Sequence, residues 1–213
     1  WAEQYIPSGL AAIIVASVPL WFVLFDRKGW AENFSNKRAL TGLLVGFGGV
    51  LLLFADGKSL GLSGGDSMKW ISCLVLVAGT ISWAIGSLYS KYKPMEGTSG
   101  MKAAIQMMTA GVCSLLAGMI NGEHHTLQMP STTSVLSLLY LIIFGSLVAY
   151  SAYVWLLSVR PPALVGTYAY VNPVVAVFLG WLFVGEKISA QQLTALAVIL
   201  AGVILINFSK EKH

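Results

Sequence analysis

Residues 161–186 read PPALVGTYAYVNPVVAVFLGWLFVGE, and residues 7–32 read PSGLAAIIVASVPLWFVLFDRKGWAE. Each holds an apolar run of roughly 20 residues, the length that crosses a bilayer core about 30 Å thick. Laid over each other at an offset of 154 positions without gaps, Pro7 meets Pro161, Leu10 meets Leu164, Pro19 meets Pro173 and Val23 meets Val177. Beyond the run, Glu32 meets Glu186, Ser35 meets Ser189, Gly48 meets Gly202 and Leu51 meets Leu205. Composition alone supplies identities between apolar residues. It does not readily supply the prolines, the glutamates and the Glu-x-x-Ser spacing. In both copies a mid-span proline is followed thirteen residues later by Glu, and then by a second helix.

Composition sets the class. Hydrophobic residues are 56% of the 213 and charged residues 10%, with mean hydropathy +0.75; a soluble chain carries about a quarter charged residues. Soluble enzymes, nucleic-acid binders and disordered scaffolds are excluded. Seven apolar stretches qualify as spans: 8–25, 39–55, 70–90, 103–120, 134–157, 163–184 and 190–208. They are continuous rather than alternating at period two, which rules out a barrel. The fold class is therefore an all-α polytopic membrane bundle. Cys73 and Cys113 lie inside apolar runs and read as small packing residues, not as a disulfide or zinc framework.

Lys and Arg orient the bundle. Arg27, Lys28, Lys37, Arg38, Lys91, Lys93, Lys102, Arg160, Lys210 and Lys212 fall on one side, and Lys58, Lys69 and Lys187 on the other. The positive-inside bias puts His213 in the cytoplasm and Trp1 outside. The first residues do not form a signal peptide, so an odd number of upstream spans is expected to return the start to the cytoplasm. The repeated helices stand five spans apart, hence opposed in the bilayer, as in secondary transporters with inverted repeats and a midplane substrate site. With a five-helix unit, residues 1–55 are the last two helices of a first repeat and 56–213 a complete second repeat. Three helices are then expected upstream, in a ten-helix (5+5) parent.

No Asp, Glu, Lys, Arg or His falls inside the seven stretches. Intramembrane charges mark proton relays and ion paths, so a retinal protein, a metal pathway and an intramembrane hydrolase all lack their residues. No catalytic residue, metal site or cofactor is expected. His124 and His125 beside Glu123 read as a solvated loop. At depth the chemistry is aromatic and small-polar. Tyr168 and Asn172 are four apart and share a helical face, and Pro173 lacks an N–H and crowds the carbonyl of residue 169. These three, with Pro19 of the first copy, are candidate substrate-cavity residues. The other reading has Asn172 bonding a neighbouring helix and Pro173 merely bending its own. Trp83, Gln106 and Tyr153 join the cavity set by depth and chemistry. Trp70, Tyr89 and Trp181 read as interfacial belt, and Gly42-x-x-x-Gly46 as a close-packing motif.

The run TYAYVNP at 167–173, LGWLFVGEKIS at 179–189 and PSGLAAIIVASVPLW at 7–21 resemble the EamA-type permeases of the drug/metabolite transporter superfamily. FGSLVAYSAYVWLL at 144–157 is similar to the matching span of the family's bacterial YedA-like branch. The resemblance implies ten helices in two inverted five-helix repeats, with residues 8–25 as the fourth helix of an N-terminally truncated parent. It also implies export of amino acids, metabolites or drugs. Pro19, Tyr168, Asn172 and Pro173 match its motif; Trp83, Gln106 and Tyr153 do not derive from it. The expected function is an inner-membrane secondary transporter, exporting small amphiphilic or aromatic solutes through stacking and cation–π contacts. Its partners are the solute, the bilayer and the missing helices of the same chain, with no nucleic acid and no oligomeric state specified. A seven-helix receptor or sensor without transport is the alternative. In the full-length parent, a cysteine at Ser63 or Thr126 should react with an impermeant thiol reagent added outside intact cells, and one at Gly97 should not; the reverse pattern overturns the orientation.

Overall fold

The computed structural model describes residues 1–55, 67–93, 96–123, 129–185 and 189–208, apart from the side chains of Glu32 and Val184. Lys58, His124, His125, Glu186, Lys187, Lys210, Lys212 and His213 lie outside the described residues. Eleven α-helices occur among those described: α1 (Ser8–Val15), α2 (Val18–Phe25), α3 (Trp30–Ser35), α4 (Lys37–Leu53), α5 (Ser67–Tyr92), α6 (Ser99–Ile120), α7 (Thr132–Tyr140), α8 (Ser151–Val159), α9 (Pro162–Gly166), α10 (Tyr168–Leu179) and α11 (Ala190–Phe208). A π-helical stretch, Leu141–Tyr150, joins α7 to α8, and a shorter one, Gly180–Val184, extends α10. No strand occurs among the described residues.

Six helical stretches are long and apolar enough to cross a membrane: Ser8–Phe25, Ser67–Tyr92, Ser99–Ile120, Thr132–Val159, Pro162–Phe183 and Ala190–Phe208. This corrects the expectation of seven. The run at 39–55 was counted to Ala55, but the helix stops at Leu53 and Phe54 leaves helical geometry at φ −105, ψ 14. Its 17 residues span about 25 Å at ~1.5 Å per residue, short of the ~30 Å core.

Chain ends and turns explain the helix boundaries. Asn36 caps α4 by accepting from the Ala39 N–H at 3.1 Å, and Thr98 caps α6 through the Met101 N–H at 3.3 Å. Ser189 and Gln192 form a reciprocal capping box at α11, with Ser189 Oγ accepting from the Gln192 N–H at 3.1 Å and Gln192 Oε1 from the Ser189 N–H at 2.8 Å. Gly185, at φ +73, ends the π-helical extension of α10 in the left-handed conformation that glycine adopts without penalty.

The chain divides into two compact units. One comprises Trp1–Tyr92 and Pro161–His213, the other Lys93–Arg160. This grouping describes packing, whereas the expected division at 55/56 describes internal sequence equivalence. In the first unit α4 lies along α11, with Leu43, Val50, Ala195, Ile199 and Ile206 buried between them and Tyr170 of α10 fully buried against the pair. The backbones meet at glycines: a Cβ on Gly202 would stand 2.5 Å from the Gly46 nitrogen and 2.7 Å from the Gly42 carbonyl. Gly42-x-x-x-Gly46 is thus the close-packing surface the sequence indicates, and its partner is Gly202. Gly46 also faces the Tyr170 ring, whose edge a Cβ would approach to 2.8 Å. The Tyr170 hydroxyl donates to the Leu43 carbonyl at 3.1 Å. In the second unit α6 and α8 pack together.

The α4–α11 contact can be tested by two glycines one residue type apart in consequence. Gly202→Ala must push backbone against backbone and should lower stability by about 1–3 kcal/mol. Gly48→Ala meets nothing within 4 Å and should be neutral or gain up to about 1 kcal/mol from helix propensity. Thermal unfolding of the purified variants reads both.

Candidate functional site

Two of the six spanning stretches are broken, and the break is built the same way in each. At Ser17, with φ −73 and ψ −12, the N–H donates to the Ile14 carbonyl and the hydroxyl donates to that same carbonyl at 2.6 Å. At Thr167, with φ −62 and ψ −12, the N–H and hydroxyl both donate to the Leu164 carbonyl, the hydroxyl at 2.7 Å. These i→i−3 bonds tighten one turn and separate α1 from α2 and α9 from α10. The helices before the breaks also start alike, behind Pro7 at φ −60, ψ 142 and Pro161 at φ −61, ψ 140. The sequence placed the interruption at the prolines themselves. Instead Pro19 sits in the first turn of α2, where a missing N–H costs nothing, and Pro173 lies inside α10. Neither proline has an N–H to offer the carbonyl four residues back, Val15 and Ala169, and each break falls within two residues of that carbonyl.

Beyond the breaks, α1 and α10 stand apart around a cavity of about 540 Å3. The walls carry one spacing, i, i+3, i+4, i+7: Ser8, Ala11, Ala12 and Val15 on α1, and Ala169, Asn172, Pro173 and Ala176 on α10. That spacing is a single helical face. Phe54, at the end of α4, and Glu3 close the perimeter at the end where α1 begins. The polar side chains of the lining, Glu3, Ser8 and Asn172, are exposed and make no hydrogen bond among the described residues.

On the far side of the breaks the helices close. A Cβ on Gly166 of α9 would lie 2.7 Å from the Phe22 ring and 3.2 Å from the Pro19 Cα of α2. The α2 side is further sealed by Val18 and Phe22 packing on Ala84 and Leu88 of α5. At the end of α2 the Asp26 carboxylate is 3% exposed. It accepts from the Tyr92 hydroxyl at 2.6 Å and from the Gly29 N–H at 3.1 Å, and Lys28 Nζ lies 4.7 Å over the Tyr92 ring. The first unit therefore holds α1 and α10 open, and α2 and α9 shut.

The expected site residues distribute as follows. Asn172 and Pro173 line the cavity. Tyr168, one turn before Asn172, is bonded to Trp83 of α5, whose indole N–H can only donate. Pro19 is fully buried at the closed α2–α9 contact and does not line the cavity. Gln106 and Tyr153 belong to the second unit, where Gln106 Oε1 accepts from the Tyr150 hydroxyl at 2.8 Å and the Tyr153 ring stacks on Tyr150 with centroids 6.1 Å apart. The sequence reading missed Ser8, Ala11, Ala12 and Ala176. A stripe of small residues at helical spacing was their signal, visible on α1 but indistinguishable there from a packing face. It also missed Asp26, whose partner Tyr92 is 66 positions away.

A helical membrane protein with two broken spans flanking a cavity is the class this geometry defines. Residues 70–208 match the EamA-like transporter family, and the chain belongs to that family. It is 40% identical over 208 residues, 98% of its length, to a protein of Escherichia coli strain K12 named as the uncharacterized inner membrane transporter YedA. It is 30% identical over 213 residues, 96% of its length, to the WAT1-related protein At3g02690, chloroplastic, of Arabidopsis thaliana. To the probable amino-acid metabolite efflux pump of E. coli strain K12 the identity is 23% over 209 residues, 95% of this chain. The chain spans 64%, 49% and 68% of the lengths of these three relatives, respectively. The seven-helix receptor reading finds no support among them.

Proposed function

We propose that the parent of this chain is an inner-membrane secondary transporter that exports small metabolites by alternating access, with its carboxyl end in the cytoplasm. The carrying observation is the asymmetry between equivalent half-helices. At the 154-residue offset, α1 corresponds to 162–169, which contains α9, and α2 corresponds to 172–179, which lies in α10. One pairing, α2 with α9, is closed at Gly166. The other, α1 with α10, is open around the cavity. An inverted repeat whose halves exchange these roles would present the same cavity to opposite sides in turn. The matching proline starts, the Ser17 and Thr167 breaks, and the pairing of α4 with α11 support a ten-helix, two-repeat parent, in which α4, shorter than the core by itself, would cross where the bilayer thins around it. Residues 1–55 then close the first repeat and 56–213 form the second.

The lining favours neutral or amphiphilic solutes, amino acids and similar metabolites among them. Phe54 offers a ring for stacking, Ser8 and Asn172 offer hydrogen bonds, and no cation lines the cavity among the described residues to hold an anion. The names of the efflux relatives support export. Tyr168, one turn before Asn172, bonds Trp83 and so ties α10 to α5.

Asn172 tests the proposal. Its unpartnered amide faces the cavity, so Asn172→Ala in the full-length parent should reduce flux at least about tenfold while thermal stability stays within about 0.6 kcal/mol, the average worth of an interhelical hydrogen bond. A destabilised variant with normal flux per folded molecule would remove Asn172 from the site.

A further inference from the structure

The far end of α2 carries a charge that the closed contact itself does not need. Asp26 follows Phe22 by one turn and donates its N–H to the Phe22 carbonyl at 2.9 Å, so its place is tied to that of the ring facing Gly166. Its carboxylate is 3% exposed, and a buried charge is costly unless hydrogen bonds answer it. Both side-chain bonds end on one oxygen: Oδ1 accepts from the Tyr92 hydroxyl at 2.6 Å and from the Gly29 N–H at 3.1 Å. Tyr92 is the last residue of α5, and Lys28 Nζ lies 4.7 Å over its ring. The segment after α2 therefore grips Tyr92 twice, by its hydroxyl and by its ring face.

Asn33 of α3 holds a second donor beside the same carboxylate. Its amide nitrogen is buried and has no hydrogen-bond partner among the described residues. A Cβ on Gly29 would stand 2.5 Å from Asp26 Oδ2 and 3.0 Å from that nitrogen, so the two atoms face one point that only a glycine leaves empty. The Trp30 indole donates to the Leu24 carbonyl at 3.0 Å, which ties α3 to α2. Asn33 thus travels with Asp26, whereas Tyr92 travels with α5. An amide buried without a partner lowers stability, and it gains a partner once the carboxylate turns to it.

We infer that Asp26 is a two-position latch on the closed contact. Bonded to Tyr92, it holds the end of α2 on α5 and keeps Phe22 against Gly166. Oδ1 is held from two sides, so Oδ2 does not turn onto Asn33 while Tyr92 is engaged. When α2 leaves α5, the Asn33 amide takes over from the Tyr92 hydroxyl. Opening would otherwise strand a buried charge without a partner, which is strongly unfavourable. Two alternative partners make two discrete arrangements rather than a continuum, the property a switching element needs. The inference rests on alternating access as the mode of transport. Asp26 is a positioning residue in it: it acts through Phe22, and neither it nor its partners line the cavity.

Spin-label distances between Leu24 and Ala163 in the full-length parent, reconstituted in lipid nanodiscs, read the latch, and thermal unfolding of the same samples reports folding separately. Tyr92→Phe keeps the ring under Lys28 and removes only the hydroxyl. The ratio of long to short distance should then rise about tenfold, the worth of a hydrogen bond to a charged group. Asn33→Ala added to Tyr92→Phe removes the second donor and should bring that ratio back down by a similar factor. Two substitutions that merely weakened the fold would not cancel in this way. Exchange between two distances with a ratio that Tyr92→Phe leaves unchanged, or that Asn33→Ala does not reverse, would overturn the latch and leave the transport reading standing. One invariant distance in the unaltered protein and in both variants would overturn the two together.

Discussion

Gly166 against Phe22 and Pro19 is the contact on which the arrangement depends. A Cβ at this glycine would sit 2.7 Å from an aromatic ring, so only hydrogen lets α9 come this close to α2. Closure there sets the geometry on the other side of the two breaks. Both stretches pass through a tightened turn at Ser17 and Thr167, and α1 and α10 leave those turns along separate lines. The space between them is the cavity. Shutting one half-helix pair and opening the other are therefore one geometric event, fixed at the breaks.

The breaks are affordable in a membrane because their polar groups are answered locally. An unsatisfied carbonyl in hydrocarbon costs several kcal/mol, and Ser17 and Thr167 each return two donors to the carbonyl three residues back. The hydroxyls answer the Ile14 and Leu164 carbonyls at the tightened turns, while the carbonyls opposite the missing proline N–H groups are those of Val15 and Ala169. This arrangement was only half legible. Pro19 and Pro173 announced themselves at matching positions, but the tightened turns lie at Ser17 and Thr167, which stand 150 positions apart rather than 154. Sequence equivalence and structural equivalence thus differ by about one helical turn, a slip that identity matching without gaps has no means of detecting.

Other features divide along similar lines. Spanning stretches declare themselves by apolar length, and six of the seven were readable on that ground. The seventh, α4, differs because its terminal residues 54 and 55 are apolar without being helical, and apolarity does not report φ and ψ. Gly42 and Gly46 gave away a close contact, while the partner, Gly202, came only with the fold. Asn172 was legible as a polar group where hydrocarbon penalises one, and it does face a cavity. Pro19 shared its motif but went to the closed contact, where Gly166 brings α9 against it. The long π-helical stretch Leu141–Tyr150 has no sequence signal that we recognise. The Asp26–Tyr92 bond, 2.6 Å long and 66 positions apart in sequence, lay beyond any local pattern.

The central claim is that the open and closed half-helix pairs exchange. Pulsed electron spin distance measurements on the full-length parent in lipid nanodiscs test it, with one label pair at Ala12 and Ala176 across the cavity and another at Phe25 and Ala163 across the closed contact. The account predicts two populations for each pair, reciprocally weighted, so that conditions favouring a short distance across the cavity favour a long one across the contact. A single, invariant distance at the closed contact while the cavity pair varies would contradict it.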